Sequence, residues 1–119
     1  MAVFTNLHHE ENKSATGNLI VKDVLLDPEL FQNANSLFAK ITLRPGFEVP
    51  YHQHVKNFET YYLLQGEGEY NDEGKVSRVK AGDVTFCADG ASHGIKNDGK
   101  EDLVFIALIT NTPEGKKQF

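Results

Sequence analysis

The chain has 119 residues and a mass of 13.3 kDa, which is the size of a single domain. Its 12 Lys and Arg against 17 Asp and Glu give a formal net charge of −5, and no basic block is present. An acidic chain of this kind is a poor partner for a phosphate backbone, which argues against nucleic-acid binding. The single cysteine, Cys87, excludes an intramolecular disulfide framework and fits a small buried hydrophobic residue.

The apolar segments are too short to span a membrane as a helix. The longest unbroken run covers residues 103–109, whereas a spanning helix needs about 20 residues. Residues 1–13 contain no apolar core of a secretion signal. We therefore expect one cytoplasmic domain over residues 1–119 with no membrane partner. Its ends, residues 1–18 and 113–119, are polar and are expected to be loosely ordered.

The alternation of apolar and polar residues predicts β-strands through most of the chain. A short helical turn is expected at residues 27–31, where Asp27 can cap the turn and Pro28 suits its first position. Gly, Pro, Asn and Asp mark turns between the strands, whose spacing is typical of a β-sandwich or barrel. The predicted strands cover residues 36–43, 59–64, 68–70, 75–79, 84–87 and 103–109.

Three of the five histidines lie in a pattern that suits metal binding. His52 and His54 are two residues apart, so on a strand their side chains share a face. A neighbouring antiparallel strand would bring Glu59 opposite this pair, and His93 follows the next glycine-punctuated strand. Three imidazoles and one carboxylate suit a divalent transition metal, although the spacing alone fits two exposed histidines on a strand edge equally well. The remaining pair, His8 and His9, is expected to be solvated.

The surroundings of these residues resemble the two sequence motifs of the cupin superfamily. The first motif, G-x5-H-x-H-x(3,4)-E-x6-G, is met at every fixed position from Gly46 to Gly66. The second motif, G-x5-P-x-G-x2-H-x3-N, is met from Gly82 to Asn97, except that Ala88 stands where the family has proline. Two independent motifs in the right order are far more specific than one short pattern.

The resemblance implies an all-β fold, the double-stranded β-helix or jelly-roll barrel of small single-domain cupins. It also implies a metal inside one end of the barrel, with iron, manganese, zinc and nickel all open as its identity. Four protein ligands on a six-coordinate metal would leave two positions for a small molecule, which is typical of a catalytic rather than a structural site. The implied ligands are His52, His54, Glu59 and His93.

The resemblance leaves the function open, because a fold does not determine a function. The first hypothesis is a metal-dependent enzyme that acts on a small organic molecule, with a dioxygenase-type oxidoreductase as the favoured class. The second is a non-catalytic cupin that binds or senses a small molecule such as a sugar or an organic acid. A metal-dependent lyase, isomerase or decarboxylase, or a small metal-storage protein, is also compatible. A lyase or isomerase usually needs a separate acid or base, for which Tyr61 is the one candidate.

Strand parity selects the residues that face the barrel interior. Tyr61 and Leu63 share the face of Glu59, and Ile95 shares the face of His93. These three side chains either line a substrate pocket or simply fill the core. Lys40 and Arg44 lie on the polar face of their strand, and a cation there that faced the lumen would select an anionic substrate. The sequence leaves the direction of these two side chains open.

The last predicted strand, residues 103–109, is apolar on both faces. One face belongs in the barrel, so the outer face needs a cover, since monomers rarely expose a large apolar patch. The cover is either the apolar stretch at residues 19–26 or a second copy of the chain. Small single-domain cupins commonly pair in this way, and we expect a homodimer.

Overall fold

The computed structural model describes residues 3–5, 7–14 and 17–112, and β-strands make up most of them. A single 3₁₀ turn, Pro28–Phe31, interrupts the strands, and Pro28 opens it as predicted, although the side chain of Asp27 forms no cap hydrogen bond. No helix among the described residues is long and apolar enough to cross a membrane. The strands are β1 His8–Lys13, β2 Leu19–Val24, β3 Asn35–Leu43, β4 Glu48–Gln53, β5 Asn57–Gln65, β6 Glu67–Asp72, β7 Lys75–Lys80, β8 Val84–Cys87, β9 Ser92–Lys96 and β10 Leu103–Asn111.

The strands form two antiparallel sheets. The larger sheet has the order β1-β2-β3-β10-β5-β8, and the smaller sheet has the order β4-β9-β6-β7. The crossovers between the two sheets, together with the antiparallel pairing, give the double-stranded β-helix that the sequence predicted.

The core lies between the sheets and follows the predicted alternation. On β10, Leu103, Phe105 and Ala107 are almost completely buried, and on β3 the same holds for Ala39 and Leu43. The smaller sheet contributes inward side chains from β6, β7 and β9. Because each strand alternates between faces, one row of apolar side chains per strand is enough to fill the interior. The residues from the smaller sheet are Tyr70, Val79 and Ile95.

The N-terminal part of the chain differs from the expectation of loose order over residues 1–18. Residues His8–Lys13 form β1, which pairs with β2 along its whole length. The local sequence of β1 is polar on both faces, so it shows no alternation, and the strand forms because β2 offers an unpaired edge. His8 and His9 lie on this strand with exposed side chains, as expected. Residues 113–119 lie outside the described residues.

The outer face of the larger sheet is apolar and exposed at β5 and β8, whereas the outward side chains of β10 are half-buried. The stretch that was one possible cover, residues 19–26, supplies β2, which pairs edge to edge with β3 and extends the sheet instead of covering it. Cross-strand pairing places Tyr62, Val84 and Ile106 side by side on this face. Tyr62 is 48% exposed and Val84 is 63% exposed, and Phe86 next to them is 56% exposed.

The side chain of Asn97 joins the turn before β10 to the end of β3. It is fully buried, and its amide nitrogen donates to the carbonyl oxygens of Leu43 and Glu101 at 2.7 Å each. Its amide oxygen accepts a hydrogen bond from the backbone N–H of Gly99 at 3.0 Å. Asn97 is therefore a structural residue of the second motif.

Replacing Asn97 by Ala is expected to lower the free energy of unfolding by about 2–4 kcal/mol, because it leaves buried carbonyl groups without a donor. Urea denaturation of the metal-free chain measures this change. The matched control is Asn71→Ala, since Asn71 caps a solvent-facing turn through the N–H of Gly74. Equal unfolding midpoints for Asn97→Ala and the parent chain would contradict the assigned role.

Candidate metal centre

Four side chains that the sequence singled out converge at one end of the barrel. One nitrogen from each imidazole and one carboxylate oxygen lie within 4.8 Å of one another. His93 is completely buried, Glu59 and His54 are buried, and the side chain of His52 is about one third exposed. The group therefore has one side that is open to solvent. Its members are His52, His54, Glu59 and His93.

The two sheets share the group. His52 on β4 lies directly opposite His93 on β9, and His54 follows one residue after β4 ends. Glu59 comes from β5, which pairs with β10 and β8 in the other sheet. The expectation that a neighbouring strand would carry Glu59 is therefore wrong: after β4 the chain crosses between the sheets, with Lys56 at a φ of 67°, so the carboxylate reaches the histidines across the core.

A glycine allows β4 and β9 to approach closely at this point. A Cβ atom on Gly94 would lie 2.9 Å from the backbone nitrogen of Tyr51. The β4–β9 register shifts between Val49 and His52, so the bulge brings His52 opposite His93. Gly94 is not a fixed position of either motif, and sequence analysis did not identify its role.

The turn before His93 closes without the proline of the motif. The N–H of Ala91 donates to the carbonyl oxygen of Ala88 at 3.0 Å, and Gly90 has a φ of +91°. The N–H of Gly90 in turn donates to the carbonyl oxygen of His54 at 2.7 Å. Hydrogen bonds and a glycine therefore fix the turn that proline would restrict.

The four candidate ligand atoms are packed tightly. Oε1 of Glu59 lies 2.9 Å from Nε2 of His54, 3.0 Å from Nε2 of His93 and 3.9 Å from Nε2 of His52. Nε2 of His54 lies 3.1 Å from Nε2 of His52 and 3.2 Å from Nε2 of His93. The three Nε2 atoms and one carboxylate oxygen thus form a compact N₃O set.

The opposite nitrogen of each imidazole has its own partner. Nδ1 of His52 lies 2.7 Å from the carbonyl oxygen of Pro50, and Nδ1 of His54 lies 2.7 Å from the amide oxygen of Asn57. These oxygens only accept, so both Nδ1 atoms carry the proton. Nδ1 of His93 lies 2.7 Å from the hydroxyl of Tyr70. This arrangement is typical of metal-binding histidines, whose rings are oriented by a hydrogen bond from the second nitrogen.

The orientation of the rings fits a bound cation. With Nδ1 protonated, the neutral imidazoles of His52 and His54 direct the lone pairs of Nε2 toward the other ligand atoms. Lone pairs and a carboxylate that face one another at about 3 Å repel unless a cation lies between them. Imidazole and carboxylate ligands together suit iron, manganese, zinc or nickel. The residues present therefore fit a divalent transition metal.

The electrostatics of the metal-free group follow from its contacts. Burial alone would raise the pKa of Glu59, but the attraction of the nearby imidazoles of His52 and His93, once these are protonated, outweighs burial and lowers this pKa to about 2. The same interaction with Glu59 raises the pKa of His52 above its usual 6.5, and burial offsets only part of this rise. Glu59 is therefore an anion at every physiological pH.

A cavity of about 200 Å³ leads to this group from inside the barrel. Most of its wall is apolar, and the polar side chains are Asn12, Lys22, His52, Glu59 and Tyr61. A mainly apolar cavity with a few convergent polar groups is typical of a small-molecule site. The apolar wall consists of Ile20, Leu37, Ile41, Val49, Phe105, Ala107 and Ile109.

The predicted pocket residues divide into two groups. Tyr61 lines the cavity, stacks on the ring of His93 with a centroid distance of 5.0 Å, and is almost fully buried. Burial first, and the charge of Glu59 second, raise the pKa of Tyr61 far above its usual range, so its hydroxyl keeps its proton. Leu63 and Ile95 face inward as predicted, but they lie in the packed core and not on the cavity wall.

The positively charged side chain that lines the cavity is neither Lys40 nor Arg44, the two residues that the sequence suggested. Lys40 and Arg44 do not line the cavity, and Arg44 lies 3.9 Å from Asp102 in an exposed ion pair. Lys22 on β2 lines it instead, together with Asn12 on β1. Strand parity in the sequence places Lys22 on the same face as Ile20, but the sequence suggests residues 19–26 only as a possible cover, whereas Leu19–Val24 form a strand of the sheet.

A double-stranded β-helix with three imidazoles and one carboxylate at one end defines a class of small metal-site barrels. Residues 39–109 match the protein family described as Cupin domain. The chain belongs to the cupin family, as the two motifs predicted.

Relatives with known sequences or structures agree with this assignment. The chain is 48% identical over 85 residues to a Thermotoga maritima protein named oxalate-binding protein, covering 71% of this chain and 70% of the relative. A crystal structure of a predicted oxalate decarboxylase from Thermotoga maritima superposes with a TM-score of 0.86 at 38% identity, covering 93% of this chain and 99% of that one. A Klebsiella pneumoniae protein with a double-stranded β-helix domain superposes with a TM-score of 0.68 at 27% identity, covering 83% and 82% of the two chains.

Proposed function

We propose that this cupin binds a small organic acid of the oxalate type in a metal-dependent manner. The observation that carries the proposal is the N₃O group of His52, His54, Glu59 and His93, which lies at the end of a small, mainly apolar cavity. The name of the Thermotoga maritima relative, oxalate-binding protein, supports the choice of acid.

The site chemistry supports a bidentate oxygen ligand. A divalent ion held by these four residues would supply positive charge and free coordination positions for two carboxylate oxygens. The chain's own residues shape the remaining space, because Tyr61 and Phe105 close one wall while the partly exposed His52 lies at the open side. A cavity of about 200 Å³ suits an acid of a few carbon atoms and not a polymer or a large sugar.

Catalytic turnover is a second candidate function, with the dioxygenase-type oxidoreductase as the class predicted from the sequence. One observation limits the chemistry. Among the described residues that line the cavity, the only carboxylate is Glu59, and the phenol of Tyr61 keeps its proton. Reactions that need a carboxylate base separate from the metal ligands are therefore disfavoured, whereas binding alone and metal-centred redox chemistry need none. Dioxygenase activity stays a sequence-based prediction.

Calorimetric titration tests the proposed binding. The chain loaded with Mn²⁺ is expected to bind oxalate at one per chain, because two oxygens of one acid fill the free positions. Formate, which closes only a strained four-membered chelate ring, is expected to bind at least about tenfold more weakly. Oxygen uptake measured on the same samples tests the dioxygenase class. Equal oxalate binding by the metal-free chain, or no binding with Mn²⁺, Fe²⁺, Ni²⁺ or Zn²⁺, would contradict the proposal.

We also propose that the chain is a homodimer that covers the outer face of the larger sheet. This face presents Tyr62, Leu64, Val84 and Phe86, each more than 40% exposed, and β2 does not cover it. Light scattering at micromolar concentration is expected to give twice the 13.3 kDa of one chain. Phe86→Lys is expected to lower the mass toward one chain, while Val76→Lys on the other sheet serves as the control. A concentration-independent mass of 13.3 kDa for the parent chain would contradict the dimer.

A further inference from the structure

Lys22 is the only Lys or Arg among the described residues that line the cavity. It lies on β2, between Glu10 on β1 and Ile41 on β3 in the cross-strand register. Its strand face is the inward one, because Ile20 on the same face packs against the core. The N-terminal pair of strands therefore places Lys22 on the inward face of the larger sheet, at the cavity wall.

Lys22 lies where the cavity meets the protein surface. A groove of about 420 Å³ runs along the N-terminal strands, and the cavity of about 200 Å³ lies inside the barrel. Only two residues line both, Lys22 and Leu37. The metal-binding group lies at the other side of the cavity, since His52 and Glu59 line the cavity and not the groove. Lys22 and the metal-binding group therefore line the same cavity, and Lys22 also lines the groove.

The ammonium group of Lys22 has N–H donors besides the one that faces Glu10. Its contact with Glu10 is 3.4 Å long and both side chains are partly solvated, at 26% and 35% exposure. Such exposed pairs contribute little and break readily. Glu10 also accepts from His8 at 2.8 Å, so it stays in place if Lys22 moves to another anion. A lysine has three N–H donors, and Glu10 occupies one of them.

We propose that Lys22 selects dianionic ligands by binding the carboxylate oxygens that face away from the metal centre. This inference rests on the proposed function and adds the ligand class, a small dicarboxylate in preference to a monoanion or a neutral chelator. The metal centre and Lys22 would bind different parts of one ligand. The metal centre needs two oxygen ligands, and Lys22 favours a second negative charge within the same small cavity. The amide of Asn12 lies on the same wall and adds a neutral donor.

Oxalate and oxamate separate the charge from the shape of the ligand. Oxamate replaces one carboxylate of oxalate by an amide, so it keeps the size and the chelating oxygens but has one negative charge. Calorimetry on the Mn²⁺-loaded chain is expected to show a preference for oxalate. Lys22→Met keeps the apolar stem without the charge and is expected to weaken oxalate binding by about 10- to 100-fold, with a much smaller effect on oxamate.

Two further variants and a metal titration complete the test. Lys22→Arg is expected to keep the preference, since it restores the charge. Lys40→Met, on the outward face of β3, is expected to bind oxalate like the parent chain. The affinity of all variants for Mn²⁺ alone is expected to stay within about threefold, because Lys22 is not one of the four candidate ligands.

The outcomes distinguish the two proposals. If the parent chain binds oxalate and Lys22→Met binds oxalate and oxamate as the parent does, the role of Lys22 is overturned while the proposed function stands. The same holds if Lys40→Met loses as much oxalate affinity as Lys22→Met. If the Mn²⁺-loaded parent chain binds neither acid, the proposed function and the role of Lys22 both fail.

Discussion

Replacing His54 by Ala is expected to weaken metal binding by about 100-fold or more and to leave the barrel folded. Nε2 of His54 lies within 3.2 Å of each of the other three ligand atoms, so His54 is the central member of the group. Loss of a residue that only orients a ligand costs about 10- to 100-fold in metal affinity, and loss of a ligand costs at least as much. The apolar core does not include His54.

The measurement is metal content by mass spectrometry after dialysis, together with thermal unfolding of the metal-free chain. His9→Ala is the matched control, because His9 is an exposed histidine bonded to Asp23 and Glu11, away from the group. It is expected to retain the metal fully. If His54→Ala keeps its metal, the site assignment is wrong. If His54→Ala does not fold, the metal is structural, and the open ligand-binding site is contradicted.

Metal affinity is expected to fall steeply as the pH drops below about 6.5, since a protonated imidazole cannot bind a metal. Glu59 raises the pKa of His52 in the metal-free chain, so protons compete there already above pH 6.5. The pKa of Glu59 is about 2, so this carboxylate stays ionised and takes up no proton in the same range. Up to three protons, and not four, therefore replace the metal.

A competition titration against a chelator from pH 4 to 8, with circular dichroism to confirm folding, measures this dependence. The logarithm of the affinity is expected to change by more than one per pH unit below about pH 6, because more than one imidazole takes up a proton. An affinity that is unchanged down to about pH 4 would exclude histidine ligation. A slope of one would indicate that only one histidine binds the metal.

The strands with one buried face could be predicted from the sequence, because their alternation reflects burial directly. On β3 and β10 the fully buried residues all lie on one alternating face of the strand. The strand β1 could not be predicted in this way, since both of its faces are polar and exposed. Its pairing depends on the free edge of β2, which is a property of the sheet and not of the local sequence.

The candidate ligands could be predicted because two motifs fix their spacing, but their placement between the sheets could not. Local parity shows that Glu59 faces inward, and it does not show which sheet contains β5. Strand parity also does not show whether an inward side chain lines the cavity or lies in the packed core. Leu63 and Ile95 face inward, but they lie in the packed core. The cavity wall depends on how β1 and β2 extend the larger sheet, which is why Lys22 emerged only from the structure.

The central claim is that His52, His54, Glu59 and His93 hold one divalent metal with positions left for a ligand. Anomalous diffraction from crystals of the chain purified without chelators tests it most directly. One anomalous peak per chain is expected, bound by the three Nε2 atoms and the Glu59 carboxylate, with density for two non-protein ligands. No peak at this group, or a peak only at the exposed histidines of β1, would contradict it.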